Sequence, residues 1–262
     1  QNFKSDWKFA LGHASHFEKD FGTGTGHFSY YAKAGFGDGA AAQNLDDRMW
    51  QDVTIPHDWC VSLPFVENGS TSHGSKAIGR KYPENSVGWY RKAFTIPEDW
   101  YSSKISIEFD GVYRNSRVWV NGFYLGEEHS GYNTFSYDLT EYLNYGGENI
   151  IAVRADATYE EGWFYEGAGI YRHVWLNVTD KVFIPNDGVF VHSKVNGKNA
   201  TVTIETEVEN KNLQPSNAVV YSIITDRNGK QLAKTSEQKV PLSVFGKATI
   251  KQNLNLNNVT FW

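Results

Sequence analysis

The sequence is short of cysteine, of long apolar runs and of excess basic charge, and each shortage removes a class of function. Cys60 is its single cysteine, so no intrachain disulfide can form, and no CxxC or Cys/His spacing offers a structural zinc site. The redox compartment is left open by this count. Nowhere do the ~18 consecutive apolar residues of a membrane-crossing helix occur, and Gln1-Asn2-Phe3-Lys4 lacks the basic start and apolar run of a signal peptide. A soluble chain with no membrane partner is expected. An opening Gln1 is compatible with a leader removed earlier, and a periplasmic or secreted setting is favoured. Lys and Arg total 25 against 30 Asp and Glu, a formal net charge of -5 with scattered signs. Without a basic stripe to neutralise phosphates, nucleic acid is not an expected partner.

Catalytic signatures are equally scarce. No Gly-x-Ser-x-Gly elbow is present, and the glycines of Gly22-Thr23-Gly24-Thr25-Gly26 and Gly35-Phe36-Gly37-Asp38-Gly39 have neither spacing required of a phosphate-binding loop. The eight histidines are dispersed. His13 and His16 precede Glu18, but a glycine-rich, irregular setting does not force them onto one face, and a solvated loop is the better reading than a metal site. No cofactor and no metal site are expected.

What the chain has is aromatic residues, at 15%, and alternation. Ile105, Ile107 and Phe109 face one way while Ser106 and Glu108 face the other, which describes a half-buried strand. Asn121-Gly122 stands between the apolar runs Val118 to Val120 and Phe123 to Leu125, and Asn-Gly supplies the positive φ angles of a type I′ hairpin. Asn196-Gly197 and Asn228-Gly229 carry the same turn chemistry. Val202, Ile204, Thr206 and Val208 alternate with Thr203, Glu205, Glu207 and Glu209, so one face of that strand enters a core. Helical periodicity does not compete anywhere. The first ~50 residues read as a long surface loop decorating a first sandwich. Length favours two domains, and the turn at Pro185-Asn186-Asp187-Gly188 places their boundary near 181.

Two clusters carry chemistry-bearing residues. Ile55-Pro56-His57-Asp58-Trp59 has the composition of a His-Asp dyad, but neighbours on a strand or turn point apart, so packing and hydrogen bonding are the expected roles. Glu160-Glu161-Gly162-Trp163-Phe164-Tyr165-Glu166-Gly167-Ala168-Gly169 alternates carboxylates with large aromatics. Carboxylates can accept sugar hydroxyl protons while an indole covers an apolar sugar face. The plainer reading has Trp163 and Tyr165 filling the sandwich edge and the acids facing water.

Several segments, in order, resemble the family 2 glycoside hydrolases of β-galactosidase type. They are Ile55 to Trp59, Gly88-Trp89-Tyr90-Arg91-Lys92-Ala93-Phe94, Phe109 to Ser116 with Val118-Trp119-Val120-Asn121-Gly122, Asp138-Leu139-Thr140, and Gly147-Glu148-Asn149. The most specific is Gly167-Ala168-Gly169-Ile170-Tyr171-Arg172-His173-Val174-Trp175-Leu176, similar to the strand that ends the family's sugar-binding domain.

The resemblance implies an all-β chain: a jelly-roll-like, galactose-binding-like β-sandwich over residues 1–180, then an immunoglobulin-like β-sandwich over 181–262. Val259-Thr260-Phe261-Trp262 resembles the apolar stretch near the end of that second sandwich. A further strand is therefore expected to be missing, leaving an unpaired edge.

The resemblance also implies a parent enzyme whose two catalytic glutamates lie on a following (β/α)8 barrel, with no catalytic residue in this chain. That barrel and a carbohydrate, a β-galactoside or related glycan, are the implied partners, and the parent can assemble as a homo-oligomer. The loop before Gly167 is implied to rim the substrate pocket through Glu161, Trp163 and Glu166, with a β-galactosidase rim acid aligning at or beside Trp163. A free-standing carbohydrate-binding module or lectin is the alternative, and an adhesion or assembly protein a third.

Overall fold

In a computed structural model of the chain, residues 1–23, 30, 34–160, 162 and 164–259 are described. The chain divides into two compact units, residues 1–101 with 105–178, and residues 102–104 with 179–262.

The first unit runs through β1 (Trp7–Leu11), β2 (Gln51–Val53), β3 (Phe65–Ser70), β4 (Val87–Thr95), β5 (Lys104–Phe109), β6 (Ser116–Val120), β7 (Phe123–Glu128), β8 (Phe135–Asp138), β9 (Glu148–Asp156) and β10 (Val174–Thr179). Six of these form one sheet in the order β2-β1-β4-β9-β6-β7, and β10-β5-β8 form another. Alternation in β5 buries Ile105, Ile107 and Phe109 completely, against Trp7, Tyr90, Val118, Val120, Ile151 and Val153 of the larger sheet. Apolar area removed from water on these facing surfaces, at about 25 cal/mol per Å², holds the sandwich together.

The two central strands do not alternate. β4 is buried from Val87 to Lys92 and β9 from Asn149 to Ala155, because the sheet's outer face is covered as well. Trp89 and Trp119 stack there at 5.5 Å and pack with Ala40, Ala41 and Ala152, flanked by the partly buried Phe21, Tyr30 and Trp50. The expectation of a long surface loop over the first ~50 residues is corrected by this layer. β1 lies inside the sheet, paired with both β2 and β4, and segments around 20 and 40–50 form a cover.

The cover also neutralises charge. Arg91 donates to Asp47 at 2.8 Å and to the carbonyls of Ala40 and Ala42, while Arg154 donates to Asp20 at 2.9 Å. Two guanidinium groups in a sheet demand partners of this kind; the cover supplies them, with Asp156 at the end of β9 adding a second carboxylate to Arg154 at 3.1 Å.

The β6–β7 turn has φ of 50° at Asn121 and 79° at Gly122 with Val120 opposite Phe123, the type I′ geometry expected of Asn-Gly. The second unit contains β11 (Val182–Phe183), β12 (Val189–Asn196), β13 (Asn199–Asn210), β14 (Ser216–Val220), β15 (Ile223–Thr225), β16 (Gln231–Lys234), β17 (Gln238–Leu242) and β18 (Lys247–Leu256).

β13 pairs with β12 on one side and β18 on the other, and Val208, Val220, Val240, Leu242 and Ile250 form the core. Asn196 lies opposite Asn199, so the turn pair is Gly197-Lys198, and the positive φ of 60° falls on Gly197. Glycine at the first turn position is the type II′ arrangement, which corrects the Asn-Gly reading at this hairpin. Of the apolar stretch at 259–262, Thr260, Phe261 and Trp262 lie outside the described residues.

Candidate functional site

The segment that follows β9, of which residues 157–160, 162 and 164–169 are described, is tied down by Asp58. Asp58 caps a short 3-10 helix, Trp59–Ser62, by accepting from the Cys60 N–H at 2.9 Å; the same oxygen accepts from the Ala168 N–H at 2.9 Å. Its other oxygen accepts from the Tyr165 hydroxyl at 2.8 Å. Backbone bonds from His57 to Ile170 (2.8 Å) and from Trp59 to Ala168 (3.1 Å) run alongside. His57 turns elsewhere, its Nδ1 2.8 Å from the Tyr90 hydroxyl and its ring packed on Phe9.

The two side chains therefore point to different partners, as neighbours do. Burial holds the His57 pKa below the ordinary imidazole value and, together with the Asp58 charge, pushes the Cys60 thiol up to about 11.

Glycines explain how the segment lies so close. Gly167 has φ of 67° and Gly169 of 118°. A Cβ on Gly167 would stand 2.7 Å from Asp58 Oδ2, and one on Gly169 would collide with the Tyr90 hydroxyl and the His57 carbonyl. Only residues without a Cβ fit both the backbone angle and the space.

Glu166 is held inside. Its side chain is fully buried, Oε1 accepts from the Gly162 N–H at 2.9 Å, and Oε2 lies 3.8 Å from His73 Nε2. On the far side of the His73 ring, Nδ1 is 2.7 Å from Ser70 Oγ. The Glu166 N–H donates to the Ser72 carbonyl at 2.9 Å, and Ser72 Oγ donates to the Gly162 carbonyl at 2.5 Å. Residues 70–73 are thus clamped to Gly162 and Glu166. Burial lowers the His73 pKa, and the charge of Glu166 opposes that shift, so the imidazole is held toward its neutral form.

Above the clamp are two clefts that share Thr71 and Glu160. One, of about 580 Å³, is lined by Phe164 and Tyr165 together with Ser72, Gly74 and Gly162. The other, of about 450 Å³, is lined by Asn68, Arg80, Lys81 and Thr158 among others. Phe164 is 50% exposed and Tyr165 54%, so aromatic faces are open to a ligand. Among the described residues, no group of three or more His, Cys, Asp or Glu is arranged to hold a metal ion.

A sequence profile described as glycosyl hydrolases family 2, sugar binding domain, matches residues 43–180. The chain belongs to glycosyl hydrolase family 2. A β-galactosidase of Bacteroides ovatus, BoGH2A, is 34% identical over 236 residues, an alignment covering 89% of this chain and 24% of that protein. A β-glucuronidase of Formosa agariphila is 30% identical over 241 residues, covering 84% of this chain and 24% of that protein. The chain therefore spans about a quarter of the length of these curated relatives. Among solved structures, a family 2 member from Bacteroides cellulosilyticus superposes with a TM-score of 0.79 at 27% identity, covering 100% of this chain and 32% of that one. A β-glycosidase from Bacteroides vulgatus gives 0.75 at 32% identity, covering 29% of its own chain.

The family 2 domain places the sequence candidates unequally. Glu161 and Trp163 lie outside the described residues. Glu166 does not face solvent as an acid of the rim or of the plainer reading would; it is the buried member of the clamp, because a carboxylate with a backbone N–H and an imidazole at hand gains more inside than an unpaired one would.

Tyr165 keeps an open face while its hydroxyl is tied to Asp58, and burial together with that carboxylate raises its pKa. Among the described residues, the acid that borders both clefts is Glu160, which is exposed. Sequence reasoning missed His73, Thr71, Arg80 and Lys81 altogether. The only local signal was a basic pair after Gly79, which by itself describes a solvated turn.

Proposed function

We propose that this chain is the non-catalytic sugar-binding part of a glycosidase of β-galactosidase or β-glucuronidase type. In this reading a jelly-roll-like sandwich over residues 1–180 supports and rims a (β/α)8 catalytic barrel, and an immunoglobulin-like sandwich over 181–262 follows it in the chain. The reaction is a double displacement by two carboxyl groups outside this chain, which a retaining enzyme holds ~5–5.5 Å apart. The segment from Glu160 to Gly167, with Glu161 and Trp163 within it, contributes binding and orientation, which act on rate through geometry.

The observation that carries the reading is the pair of clefts around Glu160 in the domain matched to the family, one of them lined by the open rings of Phe164 and Tyr165. Aromatic faces beside a few polar groups are the anatomy of a sugar site. The names of the relatives, β-galactosidase and β-glucuronidase, support the substrate class.

The test is to assay the 262-residue chain and a longer protein containing it on nitrophenyl β-galactoside and β-glucuronide. Hydrolysis is expected from the longer protein alone. Turnover by the chain by itself refutes the reading, and millimolar or tighter binding of galactose by the chain alone points instead to a self-sufficient carbohydrate-binding module.

A further inference from the structure

The fold consumes most of the first unit's buried guanidinium groups. Arg91 is tied to Asp47 and Arg154 to Asp20 and Asp156. Arg80 is different. It is exposed at the wall of the smaller cleft, its guanidinium 4.5 Å above the centre of the Tyr159 ring. Stacking on a ring fixes a guanidinium while leaving its N–H donors unused.

Lys81 follows it in the same wall, and neither residue forms an ion pair among the described residues. Two adjacent cations on a concave surface repel one another and focus a positive potential into the cleft. Around them stand neutral hydrogen-bonding groups, Asn68, Thr71 and Thr158, and, among the described residues, one acid, Glu160, at the wall shared with the aromatic cleft. Such a site suits a small planar or tetrahedral anion held by charge-assisted hydrogen bonds, next to a sugar ring lying on Phe164 or Tyr165.

We infer that the cleft at Arg80 and Lys81 is a subsite for an anionic substituent, a carboxylate or a sulfate ester, on the glycan whose neighbouring ring occupies the aromatic cleft. The inference rests on the reading of this domain as a glycan-binding rim. It makes the domain selective for acidic over neutral glycans of the same backbone.

The experiment is calorimetric titration of the full-length protein, and of its Arg80→Gln/Lys81→Gln variant, with matched oligosaccharides: neutral, uronate-bearing and sulfate-bearing. Charge-assisted bonds of the usual strength predict that the unaltered protein prefers one or both acidic ligands by ~10-fold or more. The preference should fall below ~2-fold in the variant and shrink as salt screens it, with affinity for the acidic ligand falling by more than affinity for the neutral one.

The uronate and sulfate arms decide which anion is taken. Equal affinity for neutral and acidic ligands in the unaltered protein overturns the inference and leaves the rim reading standing. Loss of neutral and acidic binding together in the variant also overturns it, and absence of binding by every ligand removes both.

Discussion

Replacing Asp58 by alanine should loosen the rim segment more than any other single change of its size. Three bonds are lost: the cap on Cys60, the bond to the Ala168 N–H and the bond to the Tyr165 hydroxyl. A lost cap costs about 1 kcal/mol. The Ala168 amide belongs to a fully buried residue, and a buried N–H without an acceptor costs about 1–3 kcal/mol. Tyr165 is half exposed and its hydroxyl can turn to water, so its bond adds only a few tenths, about 0.5 kcal/mol.

The total is about 2.5–4.5 kcal/mol. In a domain of this size each kcal/mol moves the midpoint by about 2–4 °C, so a fall of about 5–18 °C is expected in thermal unfolding followed by circular dichroism. Asp58→Asn keeps an acceptor oxygen and should lose about half as much. Hydrogen exchange at Ala168 should quicken in Asp58→Ala, since local opening then precedes global unfolding. A midpoint within ~2 °C of the unaltered protein would show that Asp58 does not staple the segment.

Two further outcomes follow from the same region. The folded pKa of His73 lies below its unfolded value near 6.5, so the unfolded chain binds a proton that the folded chain does not; the stability from this group is complete above about pH 6.5 and is lost as pH falls toward the folded pKa. Thermal midpoints measured from about pH 5 to 7 should drop on acidification, and His73→Gln should flatten that slope; an identical slope in both proteins would rule the group out. With its thiol pushed up to about 11, Cys60 should react with iodoacetamide at pH 8 roughly 100-fold more slowly than a free thiol, and at an ordinary rate in denaturant. Rapid labelling of the folded protein would contradict the burial.

The strands and hairpins were legible because the chemistry that makes them is local. Period-two patterning in β5 needs no partner to be seen, and the positive φ at Asn121 and Gly122 is a preference of those two residues. The family motif at 167–176 was legible for a related reason: Gly167 and Gly169 are the only residue type that their backbone and surroundings admit. Its ordered neighbours from 55 to 149 told the same story.

What the sequence by itself determined, then, was an all-β chain, the β6–β7 hairpin and the family of its sugar-binding domain. Tertiary structure alone decided the rest. Residues near 20 and 40 cover a sheet because Asp20 reaches Arg154 and the Ala40 carbonyl reaches Arg91. Glu166 turns inward because residues 70–73 present His73 and Ser72 to it, about ninety positions earlier in the chain. Contacts between segments so far apart leave no local pattern, so the burial of a polar residue could be read only where its partner had been brought to meet it.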